Sequence, residues 1–161
     1  MLKALKDKWI AALRSGDYQQ VGGALCVERT RRTDNPTGEG LRYCCLGVLC
    51  DIAELEKSPP ENLDRYSDYP DKFYYDEDKQ GYVYNYTYIN PETKRESSAD
   101  EVLPEDFRRR LGISDPLQKH LTELNDAGAS FESIADEIEK NLICEDEPNA
   151  NVYIWSTTES L

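Results

Sequence analysis

Tyr43-Cys-Cys-Leu-Gly-Val-Leu-Cys-Asp51 is an apolar run in a chain of 161 residues. Apolar residues recur there and just beyond at helical spacing: Cys45, Leu46, Leu49, Cys50 and Ala53. This periodicity predicts a buried helix over residues 44–56, with a strand that runs into the helix as the alternative. Gly47 costs about 1 kcal/mol relative to alanine inside a helix, so its presence predicts that another element approaches this helix closely.

The residues before this run predict a helix and a β-hairpin. Residues 2–13 are amphipathic, with apolar side chains three or four residues apart and lysines on the other face. An extended stretch, Ala24 to Arg29, can pair with Leu41-Arg42-Tyr43 as the returning strand. Between the two, Thr30 to Gly40 carries the turn signal Asn35-Pro36-Thr37-Gly38. We therefore expect a hairpin with a long, basic loop.

The middle of the chain is rich in tyrosine. Residues 73–75 and 82–89 are typical of strands, and alternate positions of the second are occupied by Tyr82, Tyr84, Tyr86 and Tyr88. Alternation places these four side chains on one face of a strand. Because each buried hydroxyl would need a partner, we expect part of this stripe to reach solvent. The polar flanks, residues 57–72 and 92–101, are expected to be loops, the second of them mobile.

The last third of the sequence is typical of helices. Residues 104–111 predict a short helix. A second helix begins at Asp115, which is expected to cap it, while Gln118 reaches back to the same end. Residues 125–128 turn the chain into a third helix, for which Ser130 is the predicted cap. The last two helices would form an αα-hairpin.

Together these elements predict an α+β fold, in which a small antiparallel sheet packs against several helices and an αα-hairpin lies at the C-terminus. Residues 151–155 could add a strand to the sheet. A chain of this length suffices for one domain with an ordinary core. We therefore expect a single domain, 1–161, with a Tyr-rich strand insert at about 57–101. An exposed edge strand would allow a homodimer.

The formal net charge is −13, and it is unevenly distributed. Residues 1–43 hold eight Lys/Arg against five Asp/Glu, whereas the later part is acidic. Nucleic-acid phosphates would be repelled over most of the surface, which argues against direct nucleic-acid binding. No apolar run approaches the roughly 18–20 residues that span a bilayer, and the start lacks a signal-peptide core. We expect a cytoplasmic protein without a membrane partner.

The cysteines and the one histidine are the candidates for metal binding or catalysis. Cys44, Cys45 and Cys50 lack the Cys-x-x-Cys pairs of zinc sites, so buried free thiols are expected. Nucleophilic catalysis needs a base beside the nucleophile, and no pattern links His120 to a cysteine. The chain also lacks a Gly-rich phosphate loop. The sequence therefore predicts no catalytic residue, no metal site and no cofactor.

A basic patch and the tyrosine stripe are the candidates for ligand binding. Four arginines belong to the predicted hairpin: Arg29, Arg31, Arg32 and Arg42. Guanidinium groups suit bidentate contacts with phosphate or carboxylate. The stripe offers rigid area that could stack on a base or cover a partner. The alternatives are that the arginines pair with the protein's own acids and that the tyrosines belong to the core.

Three stretches near the two ends of the chain share a second kind of pattern. They are Trp9-Ile-Ala-Ala-Leu-Arg-Ser-Gly16, Tyr43-Cys-Cys-Leu-Gly-Val-Leu-Cys-Asp51 and Leu121-Thr-Glu-Leu-Asn-Asp-Ala-Gly-Ala-Ser-Phe-Glu-Ser-Ile-Ala-Asp-Glu-Ile-Glu139. Together with Leu103-Pro104 they resemble a group of small, uncharacterised phage and prophage proteins. The resemblance implies a phage accessory protein that acts in the bacterial cytoplasm. It leaves residues 57–101 without a counterpart and supplies no catalytic or ligand-binding residues.

These observations lead to one leading hypothesis and two alternatives. The leading hypothesis is a non-enzymatic binder with which a phage counteracts a host defence. Its target is a host protein or a nucleotide signal, held by the arginines and tyrosines. The first alternative is an acidic DNA mimic that inhibits a DNA-binding protein, because a compact domain of charge −13 can imitate phosphates. The second is a small enzyme that uses Cys45, Cys50 or His120.

Overall fold

The computed structural model describes residues 3–59, 73 and 75–142, and the α+β class is confirmed. Five helices lie within these residues: α1 (Lys3–Arg14), α2 (Cys45–Ile52), α3 (Glu105–Leu111), α4 (Asp115–Asp126) and α5 (Phe131–Asn141). The strands are β1 (Gln19–Gln20), β2 (Cys26–Arg29), β3 (Leu41–Tyr43), β4 (Glu56–Ser58), β5 (Gly81–Val83), β6 (Asn85–Ile89) and β7 (Glu96–Ala99). Within the same residues, no helix has the length and apolar character needed to cross a membrane.

A four-stranded sheet is built around the predicted hairpin. Its order is β1-β3-β2-β5, in which β2 runs antiparallel to β3 and β5, while β1 runs parallel to β3. Cys26 stands opposite Tyr43, and Glu28 stands opposite both Leu41 and Tyr82. The hairpin is therefore confirmed, and residues 30–40, hereafter the basic loop, connect its strands.

The tyrosine-rich strand differs from the sequence prediction because it is divided between two sheets. β5 extends the four-stranded sheet, whereas β6 is the centre of a three-stranded sheet of order β4-β6-β7. The break falls at Tyr84, whose N–H donates to the Cys26 carbonyl at 2.9 Å. Cys26 is the first residue of β2. The residues after Tyr84 have therefore passed the end of β2, and they pair with β4 and β7 instead.

Two polar segments predicted to be loops contribute strands to the second sheet, which corrects the sequence prediction. β4 begins one residue before the segment 57–72, and its Lys57 pairs with Tyr86. β7 lies within the segment 92–101 that was expected to be mobile, and its Ser97 pairs with Tyr88. Both are edge strands with exposed or half-exposed side chains, so they lack the apolar alternation that identifies a strand in sequence.

Two predicted segments lie partly or wholly outside the described residues, the loop in the middle of the chain and the strand near its end. This applies to residues 60–72 and to the predicted strand at 151–155. In the predicted strand at 73–75, Tyr75 has no strand conformation, and the neighbouring Asp76 only forms an isolated bridge with Gly81.

The predicted buried helix forms α2 in the middle of the core, where it packs against α1 and α4. It ends at Ile52, before the predicted residue 56, because Glu56 already pairs in β4. All six residues from Cys45 to Cys50 are buried. A Cβ atom on Gly47 would lie 1.8 Å from the Leu25 carbonyl oxygen, so the close element that the glycine predicts is the backbone just before β2. On the other side, the Trp9 indole N–H donates to the Cys45 carbonyl at 2.9 Å and fixes α1 against α2.

The start of α4 differs by one residue from the prediction. Ser114, not Asp115, is the N-cap, and its hydroxyl accepts a hydrogen bond from the Leu117 N–H at 3.2 Å. Gln118 does not reach back to this end, because its side-chain oxygen accepts from the Leu103 N–H at 3.0 Å. Ser and Asp are both good caps, so two adjacent candidates could not be separated by local sequence.

The predicted turn at 125–128 begins later than expected, since α4 continues to Asp126. Asn125 is buried and joins three elements. Its Oδ1 accepts from Gln20 Nε2 at 3.0 Å and from the Cys45 N–H at 3.1 Å, and its Nδ2 donates to the Val21 carbonyl at 2.8 Å. The predicted cap at Ser130 is confirmed, and α4 and α5 form the expected C-terminal pair of helices.

Candidate functional site

A buried carboxylate holds the basic loop against the sheet. Glu28 on β2 is 1% exposed. Its Oε2 accepts from the Thr37 N–H at 2.8 Å, and its Oε1 accepts from the Gly38 N–H and the Tyr84 hydroxyl, each at 2.7 Å. Burial raises the pKa of Glu28, but these hydrogen bonds outweigh burial and hold the pKa below its usual value. The basic loop is thus held at Thr37 and Gly38 by hydrogen bonds to a charged group beneath it.

Two tyrosine hydroxyls anchor the rest of the loop. Tyr82 donates to the Asp34 carbonyl, and Tyr75 donates to the Thr30 carbonyl at 2.7 Å. The two rings meet edge to face, with centroids 5.3 Å apart. The backbone of the basic loop is therefore held at its beginning, its middle and its end by groups that lie under it.

The structure places most of the predicted tyrosine stripe in the interior. Tyr82, Tyr84 and Tyr86 are buried, whereas Tyr88 is half-buried and its ring packs on Phe107. Partial exposure was expected for the stripe and is found for Tyr88 alone of the four. In this arrangement, the tyrosines fill the core and support the basic loop, and their faces do not form a platform on which a base could stack.

Tyr84→Phe is expected to lower the free energy of unfolding by about 2 kcal/mol, because it removes a hydrogen bond to a buried charged acceptor. Tyr86→Phe is the matched control, since that ring is fully buried and its hydroxyl has no hydrogen-bond partner among the described residues. We expect this control to leave stability unchanged or to raise it by up to about 1 kcal/mol. Urea denaturation measures both effects, and equal losses would contradict the anchoring role of Tyr84.

The predicted arginines and tyrosines do not share one face of the four-stranded sheet. Side chains alternate along a strand, so Glu28 lies on the face of its partner Tyr82, and Arg29 lies on the opposite face. The register puts Arg42 opposite Val27, on the same face as Arg29. Arg29 and Arg42 are therefore diagonal neighbours on what we call the outer face, away from the tyrosines.

The hairpin arginines, residues 29, 31, 32 and 42, differ from the other arginines in their partners. Among the described residues, Arg32 pairs with Glu77, whereas Arg29, Arg31 and Arg42 make no ion pair. The described arginines outside the hairpin each have a carboxylate oxygen within 4.0 Å: Arg14, Arg95, Arg108, Arg109 and Arg110. With respect to the acids that the structure describes, the alternative that the hairpin arginines pair with the protein's own acids therefore holds for Arg32 only.

The described cysteines are buried free thiols, as the sequence predicts. Burial raises the pKa of Cys26 to about 12 and that of Cys44 to about 11, and it raises the pKa of Cys45 and Cys50 well above the usual value. Such thiols are protonated at neutral pH and out of reach of a substrate. Cys144 lies outside the described residues, and within the rest no group of three His, Cys, Asp or Glu side chains could hold a metal ion.

The histidine lies in a pocket whose described lining contains no cysteine. The pocket measures about 460 Å³ and is lined by Gly112, Ser114, Pro116, Leu117, His120, Glu137, Asn141 and Leu142. His120 Nε2 lies 3.4 Å from Glu137 Oε2, and both side chains are partly open to solvent. Ser114 precedes His120 by six residues, or about 9 Å along the helix axis, so the two side chains do not form a nucleophile–base pair.

The acidic side chains are distributed over several elements, and many are already engaged. Asp136 and Glu139 bind Arg14, Glu105 binds Arg109, and others bind backbone N–H groups. These contacts neutralise parts of the surface on which a DNA mimic would need a regular row of charges. The DNA-mimic alternative remains a hypothesis without a specific observation in its favour.

A protein-family model described as "Domain of unknown function (DUF8296)" matches residues 1–142. The match spans the tyrosine-rich middle as well as residues 9–16, 43–51 and 121–139. No curated protein and no solved structure matches the chain.

Proposed function

The chain belongs to the DUF8296 family, and from that premise we propose that it is a non-enzymatic phage accessory protein that binds a host partner through the hairpin arginines. The partner is a host protein or a nucleotide signal, and it is anionic where it meets the hairpin. The binding takes place in the bacterial cytoplasm and counteracts a host defence.

The observation that carries the mode of binding is the set of unpaired arginines. Carboxylates are abundant in a chain of net charge −13, and five arginines outside the hairpin form ion pairs with them. Arg29, Arg31 and Arg42 have none among the described residues. Guanidinium groups in this state are free to donate charge-assisted hydrogen bonds to a carboxylate or phosphate of a partner.

The anchored loop supports the same proposal. Binding costs free energy when a mobile loop must be ordered, and the basic loop is already tied down by Glu28, Tyr82 and Tyr75. Arg31 and Arg32 therefore project from a backbone that is fixed before a partner arrives. This arrangement favours recognition over a purely solubilising role for the charges.

The phage context rests on the resemblance, and the preference for binding over catalysis rests on the side chains. The cysteines that an enzyme could use are buried and protonated, while His120 is exposed and lines a pocket without a described cysteine. These features favour a binding protein over a cysteine-dependent enzyme.

Phage plating on bacteria that carry defence systems tests this function. We expect expression of the protein to raise the plating efficiency of a restricted phage. The variant Arg29→Gln/Arg31→Gln/Arg42→Gln should lose this effect. The matched control, Arg14→Gln/Arg95→Gln/Arg109→Gln, removes the same charge from paired arginines and should keep it.

Thermal melts of both variants separate loss of binding from loss of fold. The hairpin variant should melt at or above the wild-type temperature, because it removes unpaired like charges, whereas the control should melt slightly lower. An unchanged plating efficiency on every defended host, or an equal effect of the hairpin variant, would contradict the proposed function.

A further inference from the structure

We propose that Arg29 and Arg42 form a binding site for the phosphate group of a small phosphorylated ligand on the outer face of the four-stranded sheet. This inference rests on the proposed function and names the chemistry of the partner that the hairpin holds.

The register brings the two guanidinium groups within reach of one phosphate. Arg42 stands opposite Val27, and Arg29 follows Val27 by two residues on the neighbouring strand. Diagonal positions of this kind have Cα atoms about 7–8 Å apart, a separation that long side chains on the same face bridge easily. Both arginines can therefore converge on one anion, each with two N–H donors.

Both strand neighbours of Arg29 are glycines. Its partner on β5 is Gly81, and Gly40 lies on the other side, where an added Cβ would be 3.9 Å from the Arg29 carbonyl oxygen. Neither neighbour has a side chain that could cover the guanidinium or pair with it. Val27 and Val83 lie on the same face and are buried in a small apolar cluster with Ala24, and apolar surroundings strengthen an ion pair at their edge.

The charge of the pair fits a dianion better than a single carboxylate. Two like charges at neighbouring positions on one face oppose folding, and no described carboxylate relieves them. One carboxylate has two oxygens, which a single guanidinium satisfies in a bidentate contact. A phosphate has more acceptor oxygens and up to two negative charges, so it can satisfy both arginines at once.

The overall charge limits the size of the ligand. A nucleic acid or an anionic membrane would bring many negative charges against a chain of net charge −13, whereas a small ligand meets only the local positive field. The site is therefore assigned to a soluble phosphorylated molecule.

Isothermal titration calorimetry of the full chain with pyrophosphate tests this site. We expect binding at low ionic strength that weakens at least about tenfold in Arg29→Gln and in Arg42→Gln. Arg42→Lys keeps the positive charge but loses the planar guanidinium group with its paired N–H donors. This variant should therefore weaken binding about threefold or more. The double variant Arg14→Gln/Arg109→Gln removes twice the charge from paired arginines outside the hairpin and should stay within about threefold of the wild type.

Two further probes identify the source of the anion. Succinate, which has carboxylates only, should bind at least about tenfold more weakly than pyrophosphate, and vesicles of phosphatidylcholine with phosphatidic acid should not sediment the protein. The proposal is overturned if the wild type does not bind pyrophosphate, if Arg14→Gln/Arg109→Gln loses as much as Arg42→Gln, or if succinate binds equally well. If pyrophosphate fails while phage plating still depends on the hairpin arginines, this site falls and the proposed function stands; if both fail, neither stands.

Discussion

Gly47→Ala is expected to lower the free energy of unfolding by about 3 kcal/mol or more. The new Cβ would lie 1.8 Å from the Leu25 carbonyl oxygen and 2.7 Å from the Leu25 carbonyl carbon. Both are backbone atoms, so no change of rotamer can relieve the contact. Helix propensity alone predicts the opposite sign, a gain of about 1 kcal/mol. Urea denaturation of the variant therefore decides between packing and propensity at this position.

Gly22→Ala is the matched control for Gly47→Ala. Its Cβ would lie 3.2 Å from Asp126 Oδ1, the end of an exposed side chain that accepts from the Gly23 N–H at 3.0 Å. Relief of the contact costs at most this one exposed hydrogen bond. We expect a loss below about 1 kcal/mol. A Gly47→Ala protein that is no less stable than this control would contradict the packing of α2 against the backbone before β2.

Glu28→Gln is expected to lower the free energy of unfolding by about 3 kcal/mol, although the side chain keeps its shape. Each carboxylate oxygen accepts from two donors: Gly38 and Tyr84 on Oε1, and the N–H and hydroxyl of Thr37 on Oε2. Glutamine has one carbonyl oxygen, so its NH2 group would face one of these donor pairs. Glu39→Gln, an exposed change in the same loop, should cost less than about 0.5 kcal/mol, and an equal effect of the two variants would contradict the anchoring role of Glu28.

The same carboxylate predicts a dependence of stability on pH. Its pKa is lower in the folded protein than the value of about 4.3 in an unfolded chain. A group of this kind contributes its full stabilisation above the unfolded pKa, and the contribution is lost as the pH falls through the folded pKa. The difference in unfolding free energy between wild type and Glu28→Gln should therefore shrink below about pH 4.3. Parallel curves for the two proteins down to acid unfolding would show that the Glu28 charge does not contribute.

The parts of the fold that the sequence predicts are those with a local signal. The apolar period of α2 and the glycine within it predict both the helix and its close neighbour, and the turn residues of the basic loop predict the hairpin. Burial of Cys45 and Cys50 follows from the same period. Each of these signals arises from residues a few positions apart, so no knowledge of distant contacts is needed.

The parts that the sequence misses depend on distant partners. Asn125 and Glu28 are polar residues whose burial is stabilised by donors and acceptors up to 105 residues away along the chain. The regular alternation of the tyrosines predicts one strand. In the structure this strand is divided between two sheets, because Tyr84 is the last of these residues to bond to β2. β7 is polar because it is an exposed edge. Long-range hydrogen bonding determines the first three outcomes, whereas β7 pairs with the nearby β6 and is missed because of its polar sequence.

The candidate site is predicted in composition but not in arrangement. The sequence singles out the hairpin arginines because they are basic residues in an acidic chain. It cannot show that Arg29 and Arg42 lie on the face opposite Tyr82, since this depends on which face of the sheet packs on the core. It also cannot show which arginines find a carboxylate, because Arg14 and Arg95 meet theirs only after folding.

Native mass spectrometry of the protein purified from bacterial lysate tests most directly whether the hairpin arginines hold a partner. The wild type and the Arg14→Gln/Arg95→Gln/Arg109→Gln control are predicted to carry an additional mass that denaturation removes, and the Arg29→Gln/Arg31→Gln/Arg42→Gln variant is predicted to be bare. A bare wild type, or the same additional mass on the hairpin variant, would contradict binding through these arginines.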